Sequence, residues 1–424
     1  MEFYFQIVLL AFLCFENGIF TTTSRSDQVL SIIPETEADV EIVKNLAREN
    51  QTALWHPDSF HHIKPHTDVH MYFNISSVES VKALLSTNGI KHSVLVEDVQ
   101  ELIEVQTKNI STDPRSSTGS FYEQYHPLEE IYSWINRTTQ WRPDLVQTIL
   151  IGSTFEKHPL YVLKLSGKGT GPKKAMWMDC GIHAREWISP AFCIWFIQYH
   201  LQFYELNPSV ANTLDNMDIY VLPVMNPDGY SFTWNEDRMW RKNRAKYDGT
   251  FCIGTDLNRN FDANWCTEGA SANPCDSTHC GPFPESELET KAVAQFLRRN
   301  KHTIKLYISI HSYSQMLLFP YSYTMNKAEN HEKLNYVAYL ATTQMRRHHK
   351  TNFVYGPGAK TIYLAPGGSD DWAYDLGIPY SYTFELRDKG RYGFLLPPSM
   401  IKPACLEVLT AIQTITSYVI DNAK

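Results

Sequence analysis

The sequence predicts an α/β protein in two parts: a small α+β unit of ferredoxin-like plan, then a larger α/β domain built on a mixed sheet. Three observations carry this expectation. Narrow helical stripes alternate with period-two strands up to about residue 108. A Ser/Thr-rich stretch without periodic apolar residues, "NISTDPRSSTGS", interrupts the pattern at 109–120. Beyond it, strand and helix signals alternate to residue 424. A content of 43% hydrophobic and 13% aromatic residues is enough for a large core. The formal net charge of −8 argues against a nucleic-acid surface, because phosphate binding needs clustered Lys and Arg rather than an acidic excess, whereas a cationic substrate is compatible.

The chain opens with an apolar run from Ile7 to Phe15, too short to span a bilayer and right for the core of a signal peptide; residues 1–23 are assigned to it, and no membrane span is expected. Next, "ETEADVEIVKNLAREN" places Val40, Val43 and Leu46 on one helical stripe. "VHMYFNI" alternates Val69, Met71, Phe73 and Ile75 as a strand; Val78, Val81, Leu84 and Leu85 mark a second helix stopped by Gly89; and "HSVLVEDV" reads as a strand. The histidines of this region, His56, His61, His62, His66 and His70, read as a solvated loop rather than a metal site.

In the second part, strands are expected at "LYVLKL", "AMWMDC", "IYVLPVM", "LYISI" and "SYTFEL", and helices at "PAFCIWFIQYHLQFY" and "PESELETKAVAQFLRRN", the latter with Leu288, Ala292, Phe296 and Leu297 on one face. "GKGTGPKK" lacks phosphate-loop spacing and reads as a hairpin turn between two strands; no GxSxG elbow is present. Of eight cysteines, Cys14 leaves with the signal, and the remaining seven suit three bridges and one free thiol in an oxidising compartment. Sequons at Asn50, Asn74, Asn109 and Asn136 point the same way, to a secreted chain.

Chemistry is expected where strands of an open sheet end. "AMWMDC" runs into "GIHAREW", "LYISI" into His311 and "SYTF" into Glu385. His183 and Glu186 are three apart on one tight turn and can reach a common point, and imidazole with carboxylate suits zinc. His311 is the best third ligand, leaving an open position for water. The adjacent carboxylates of "GGSDDW" are either a solvated turn or a site for something cationic.

"HAREW", "RMWRKNR", "DLNRNF", "IHSYSQ", "TIYLAPGGSDDW" and "FELRD" together resemble the secreted zinc metallocarboxypeptidases of the pancreatic A/B family, over the whole α/β domain and the segment before it. The resemblance implies a zinc-carboxypeptidase domain at 116–424, preceded by an inhibitory activation prosegment at 24–115 that is cut between Arg115 and Ser116 by a trypsin-like protease such as thrombin or plasmin. It implies one Zn²⁺ on His183, Glu186 and His311, a type of ligand set known for carboxypeptidase A. Asp256 then orients the first histidine, Glu385 is the general base, and Arg241 stabilises the oxyanion.

For substrate, the resemblance implies that Asn258 and Arg259 hold the terminal carboxylate, that Tyr363 closes over it, and that Arg185, Arg238 and Tyr313 line the approach. It places Asp370 at the floor of the pocket for the terminal side chain, so that peptides and proteins ending in Lys or Arg are preferred; Asp371 is expected to cap or brace the turn into "WAYDL". It pairs Cys180 with Cys193, Cys252 with Cys275 and Cys266 with Cys280, one choice of 15, and leaves Cys405 free. Within the family the likeness runs to a plasma B-type form, which implies secretion to plasma and a restraint on fibrinolysis through fibrin C-terminal lysines. A digestive B-type form and a non-catalytic peptide-binding relative are the alternatives.

Overall fold

The computed structural model describes residues 26–49, 53–108 and 121–423. The signal segment, the Arg115–Ser116 bond and the sequons at Asn50 and Asn109 lie outside the described residues. Asn74 and Asn136 are exposed.

The N-terminal unit runs β1 (Gln28–Ile33), α1 (Glu37–Glu49), β2 (Leu54–His56), β3 (Val69–Phe73), α2 (Val78–Thr87), β4 (Lys91–Val96) and α3 (Val99–Thr107). Its antiparallel sheet has the order β2-β3-β1-β4, the ferredoxin-like plan. Val40, Val43 and Leu46 of α1 and Val78, Val81 and Leu85 of α2 close over Val69, Met71 and Phe73. Leu84 and Ile75, grouped with these in the sequence reading, are exposed, because α2 presents a narrower face and β3 ends at Phe73.

The larger unit follows with α4 (Leu128–Trp141), β5 (Val146–Ser153), β6 (Pro159–Leu165), β7 (Lys174–Cys180), α5 (Ile188–Phe203), α6 (Pro208–Asn216), β8 (Met217–Leu222), α7 (Pro227–Asn235) and α8 (Leu288–Asn300). It continues with β9 (Ile304–His311), β10 (Met316–Phe319), α9 (His331–His349), β11 (Val354–Pro357), α10 (Gly358–Thr361), α11 (Ser369–Asp375), β12 (Tyr380–Glu385) and α12 (Ile401–Asn422). The eight strands form one mixed sheet, β11-β10-β12-β9-β7-β8-β6-β5. At its centre β12, β9, β7 and β8 run parallel, so their carboxyl ends meet at one edge.

Two cores sandwich this sheet. Side chains of α5, α9 and α12, among them Phe192, Ile197, Leu334, Val408 and Ile412, cover one face against Met176, Met178, Ile308 and Ile310. The alternate residues Trp177 and Tyr307 face the other way, onto Val293 and Leu297 of α8 and Trp372 of α11. Leu288, expected on the buried face of α8, is exposed at the first turn. The "GKGTGPKK" loop is not a hairpin: β8 lies between β6 and β7, so the loop crosses a strand, and the Lys173 ammonium ties it to Ser166, Gly167 and Leu214. The hairpin on this edge is β5–β6.

Disulfides join Cys180 to Cys193, Cys252 to Cys275 and Cys266 to Cys280, spanning 13, 23 and 14 residues. On chain-entropy grounds each contributes roughly 3 kcal/mol. The first fastens the end of β7 to α5, directly under the loop that carries His183. Cys405 is a buried thiol.

Candidate active site

The strand ends bring the metal-ligand candidates together. His183 Nδ1 lies 2.7 Å from Glu186 Oε1, and His311 Nδ1 lies 3.2 Å from both His183 Nδ1 and Glu186 Oε2. One ligand atom from each lies within 4.8 Å of the others, and all three residues are buried. Burial opposes the ionised Glu186 carboxyl, but the imidazoles of His183 and His311 hold it well below its usual range. Burial likewise opposes a protonated His311, yet Glu186 raises it to about 9. Two imidazoles and one carboxylate converging in a buried site are a donor set that one dication satisfies, and the set fits zinc.

Other carboxylates surround this point. Asp256 Oδ1 is 3.1 Å from His183 Nε2 and accepts the Asn258 N–H, while Oδ2 accepts from Arg241 Nε and Nη2 at 3.0 and 2.8 Å. Burial works against its charge, and Arg241 and His183 hold it well below the usual range. Glu385 ends β12 in register with His311 of β9. Burial pushes its carboxyl up to about 8, against the pull of His311, and a bound dication adds to that pull.

Glu385, Arg241, Asn258, Arg259, Tyr363 and Asp370 line one cavity of about 40 Å³, far below the roughly 300 Å³ or more of a ligand pocket. The N-terminal unit sets Asp58 against two of the lining arginines. The Asp58 carboxylate is buried, bonded by Arg259 Nη2 and 3.5 Å from Arg241 Nη2; the Arg259 and His62 contacts hold it, against burial, well below its usual range. His62 accompanies it, with Nδ1 3.0 Å from Asp58 and its ring stacked on Tyr363 at 4.6 Å. His70 is stacked on Tyr313 and hydrogen-bonded to its hydroxyl at 2.7 Å. The reading of these histidines as a solvated loop therefore fails for His62 and His70, which face the larger unit; His61 and His66 are exposed.

Asn258 Oδ1 accepts the Ser369 N–H, and Arg259 also donates to Gly269 O and Asn258 O. Arg185 is buried, stacked on Phe394. Arg238, expected in an approach groove, is buried as well: it stacks on Trp187 and donates to Gln106 Oε1 and to the Arg185 and Phe394 carbonyls. A cleft of about 780 Å³ is lined by Arg48 and Phe60 of the N-terminal unit and by Arg185, Met239, Trp240 and Arg241.

In "GGSDDW", Gly367 has φ +74°, and a Cβ there would meet the Arg259 carbonyl at 2.3 Å, so the turn can pass under Arg259 only as glycine. Asp370 Oδ2 accepts from Thr383 Oγ1 at 3.0 Å and faces the cavity. Asp371 does not brace its own helix: its Oδ2 accepts the N–H groups of Ser322 and Tyr323, holding the loop after β10. Burial raises both carboxyls, Asp371 the more because Asp370 lies beside it.

Asp58, Gln106 and Thr383 were not anticipated from sequence. Nothing in "HPDSFHH" distinguishes a buried Asp from a solvated one.

A prefolded His₂Glu set, a carboxylate at the next strand end and an arginine pair capped from another unit define a metal-dependent peptidase held shut. Residues 131–411 match the zinc carboxypeptidase family and residues 30–106 the carboxypeptidase activation peptide, so the chain belongs to the zinc carboxypeptidases and carries an activation peptide. It is 51% identical to Carboxypeptidase B2 of Rattus norvegicus over 426 residues, covering 100% of both chains. It is 53% identical to Carboxypeptidase B2 of Homo sapiens over 400 residues, 94% of each. Its fold is similar to the crystal structure of thrombin activatable fibrinolysis inhibitor, with TM-score 0.92 and 52% identity over 94% of this chain and 100% of the other.

Proposed function

We propose that the chain is a secreted zymogen whose catalytic domain removes C-terminal Lys or Arg from peptides and proteins. Asp370 carries the basic preference. It is a buried carboxylate in the cavity that also holds Arg259 and Glu385, with a hydroxyl partner in Thr383 and no ion pair among the described residues. A Lys ammonium or Arg guanidinium supplies the charge that burial makes costly to leave unpaired.

In this reading the substrate's terminal carboxylate takes the place of Asp58 on Arg259, beside Asn258, and Tyr363, freed from His62, closes over it. Glu385 accepts the proton of the attacking water and delivers it to the leaving amine. Arg241, freed from Asp58, donates to the developing oxyanion, a role typically worth about 10² to 10³ in rate. His183, Glu186 and His311 would hold the zinc, which when bound would supply Lewis acidity to the scissile carbonyl and to water. Arg185, Tyr313 and, once Gln106 has left, Arg238 border the incoming chain.

The relatives' names, Carboxypeptidase B2 and thrombin activatable fibrinolysis inhibitor, support a finer reading: a plasma enzyme, activated by a thrombin-like protease after Arg115, that removes C-terminal lysines from fibrin and restrains fibrinolysis. The test is hydrolysis, after proteolytic activation, of a peptide ending in Arg against one ending in Phe. The Arg peptide is cleaved, a zinc chelator abolishes cleavage, and Asp370→Ile loses the preference by about a hundredfold or more. An Asp370→Ile enzyme that still strongly prefers Arg overturns the reading.

A further inference from the structure

His183 and His311 present the same ring atom, Nδ1, to their common point, so each Nε2 faces away from it. Behind His183 stands a carboxylate, Asp256, at 3.1 Å. Behind His311 stands a hydroxyl: Ser309 Oγ lies 3.1 Å from His311 Nε2 and donates to Asp179 Oδ1 at 2.6 Å. A serine hydroxyl has one proton, and an ionised carboxylate only accepts. With that proton committed to Asp179, Ser309 offers His311 a lone pair; in the neutral ring that a metal requires, Nε2 then carries the proton and Nδ1 keeps its lone pair toward the metal point.

The arrangement is built into the sheet. Parallel strands β7 and β9 set Asp179 opposite Ser309 and Trp177 opposite Tyr307, and alternation puts Tyr307, Ser309 and His311 on one face. The second Asp179 oxygen accepts from Tyr307 Oη at 2.6 Å and Trp177 Nε1 at 2.7 Å. All four of these residues are 0% exposed. A buried carboxylate with three fixed donors has one orientation, and it passes that orientation to Ser309.

We propose that Ser309 and Asp179 are positioning residues for the metal centre, a two-step relay that fixes the tautomer and ring angle of His311 as Asp256 does directly for His183. The proposal rests on the reading of His183, Glu186 and His311 as the zinc ligands. It gives a role to the one acidic residue of the apolar strand "AMWMDC", which neither water activation nor substrate binding uses.

The test is the equilibrium zinc affinity of the full chain, read by competition with a fluorescent chelator. Ser309→Ala weakens zinc about tenfold to a hundredfold, the usual effect of removing such a partner. Tyr307→Phe removes one donor from the same carboxylate but leaves Trp177 Nε1 on that oxygen and Ser309 on the other, so affinity stays within about twofold. If Ser309→Ala is not recovered folded, Asp179→Asn carries the test, weakened binding supporting the relay and unchanged binding overturning it. Unchanged affinity in Ser309→Ala, or an equal loss in Tyr307→Phe, overturns the relay. His311→Ala tests the ligand reading separately: zinc affinity retained there removes the ligand assignment itself, whereas zinc lost there but kept in Ser309→Ala removes only the relay.

Discussion

Asp58 and a substrate's terminal carboxylate are the same functional group, and Asp58 is bonded to Arg259, the residue to which the proposed function gives that carboxylate, and lies 3.5 Å from Arg241. Removing it leaves Arg259 and Arg241 buried without that partner, which costs about 3–5 kcal/mol for a buried pair broken from one side. Asp58→Ala in the full chain should therefore raise hydrolysis of a small C-terminal Arg substrate at least about tenfold over the uncleaved parent, since about 1.4 kcal/mol of lost docking already gives that factor. After activation the two proteins should be indistinguishable, because the mutated unit has gone. Equal basal rates before cleavage would rule out Asp58 as the latch. The depressed Asp58 carboxyl also fixes a sign. Its contribution is complete above the ordinary Asp range near pH 3.9 and is lost only as pH falls through the lower folded value, so acidification from pH 8 to 5 does not release it. At this scale legibility followed chemistry: His183, Glu186, His311 and Glu385 stand at strand ends in long motifs, whereas Asp58 and Gln106 owe their roles to a docking that no local pattern encodes.

Among the elements of the larger sheet, β6, β7, β8, β9 and β12 were readable as strands, whereas β5, β10 and β11 and the strand order were not. The apolar runs of β6, β7, β8, β9 and β12 announce themselves, yet the insertion of β8 between β6 and β7 depends on which edges pair, and a basic Gly-rich loop looks alike in a hairpin or a crossover. The "GGSDDW" segment shows the same limit: its two carboxylates are equivalent as sequence, but the first turn of α11 aims Asp370 into the cavity and Asp371 at the backbone of Ser322 and Tyr323. Helix α5 carries a further consequence. Its His200 is buried, donates through Nδ1 to the Phe196 carbonyl at 2.9 Å, and is pushed by burial down to about 4. The unfolded chain takes up a proton near pH 6.5 that the folded chain refuses, so this residue's contribution is complete above pH 6.5 and falls as pH drops toward 4. Between pH 7.5 and 5 that is about 2 kcal/mol of lost stability. His200→Gln should reduce the pH dependence of the denaturation midpoint by that amount, and an unaltered slope would show that His200 titrates freely.

On the scale of the whole molecule, two independent sheets are joined by one mixed interface. Trp55, Val29, Val96 and Val99 of the N-terminal unit pack on Met239, Tyr313, Phe394 and Leu395, with Trp55 and Phe394 edge to face at 5.2 Å. Beside this cluster Gln106 is fully bonded: Nε2 donates to the Phe394 and Leu396 carbonyls at 3.3 and 3.0 Å, and Oε1 accepts from Arg238 Nε and Nη2 at 3.1 and 3.0 Å. Neither contact depends on the linker, so cutting the linker does not by itself free the active site; the cleaved unit must also dissociate. Activity should then lag behind cleavage, and the lag should shorten when docking is weakened. Trp55→Ala removes about 3–5 kcal/mol of packing, and Gln106→Ala about 1–3 kcal/mol by leaving buried donors and acceptors unpaired. Both meet Phe394, so their effects should not add. Following cleavage on a gel and hydrolysis in the same sample, the parent should show a measurable delay that Trp55→Ala abolishes and Gln106→Ala shortens. A delay unchanged in Trp55→Ala would place the hold on the catalytic unit elsewhere, on the Asp58 pair alone.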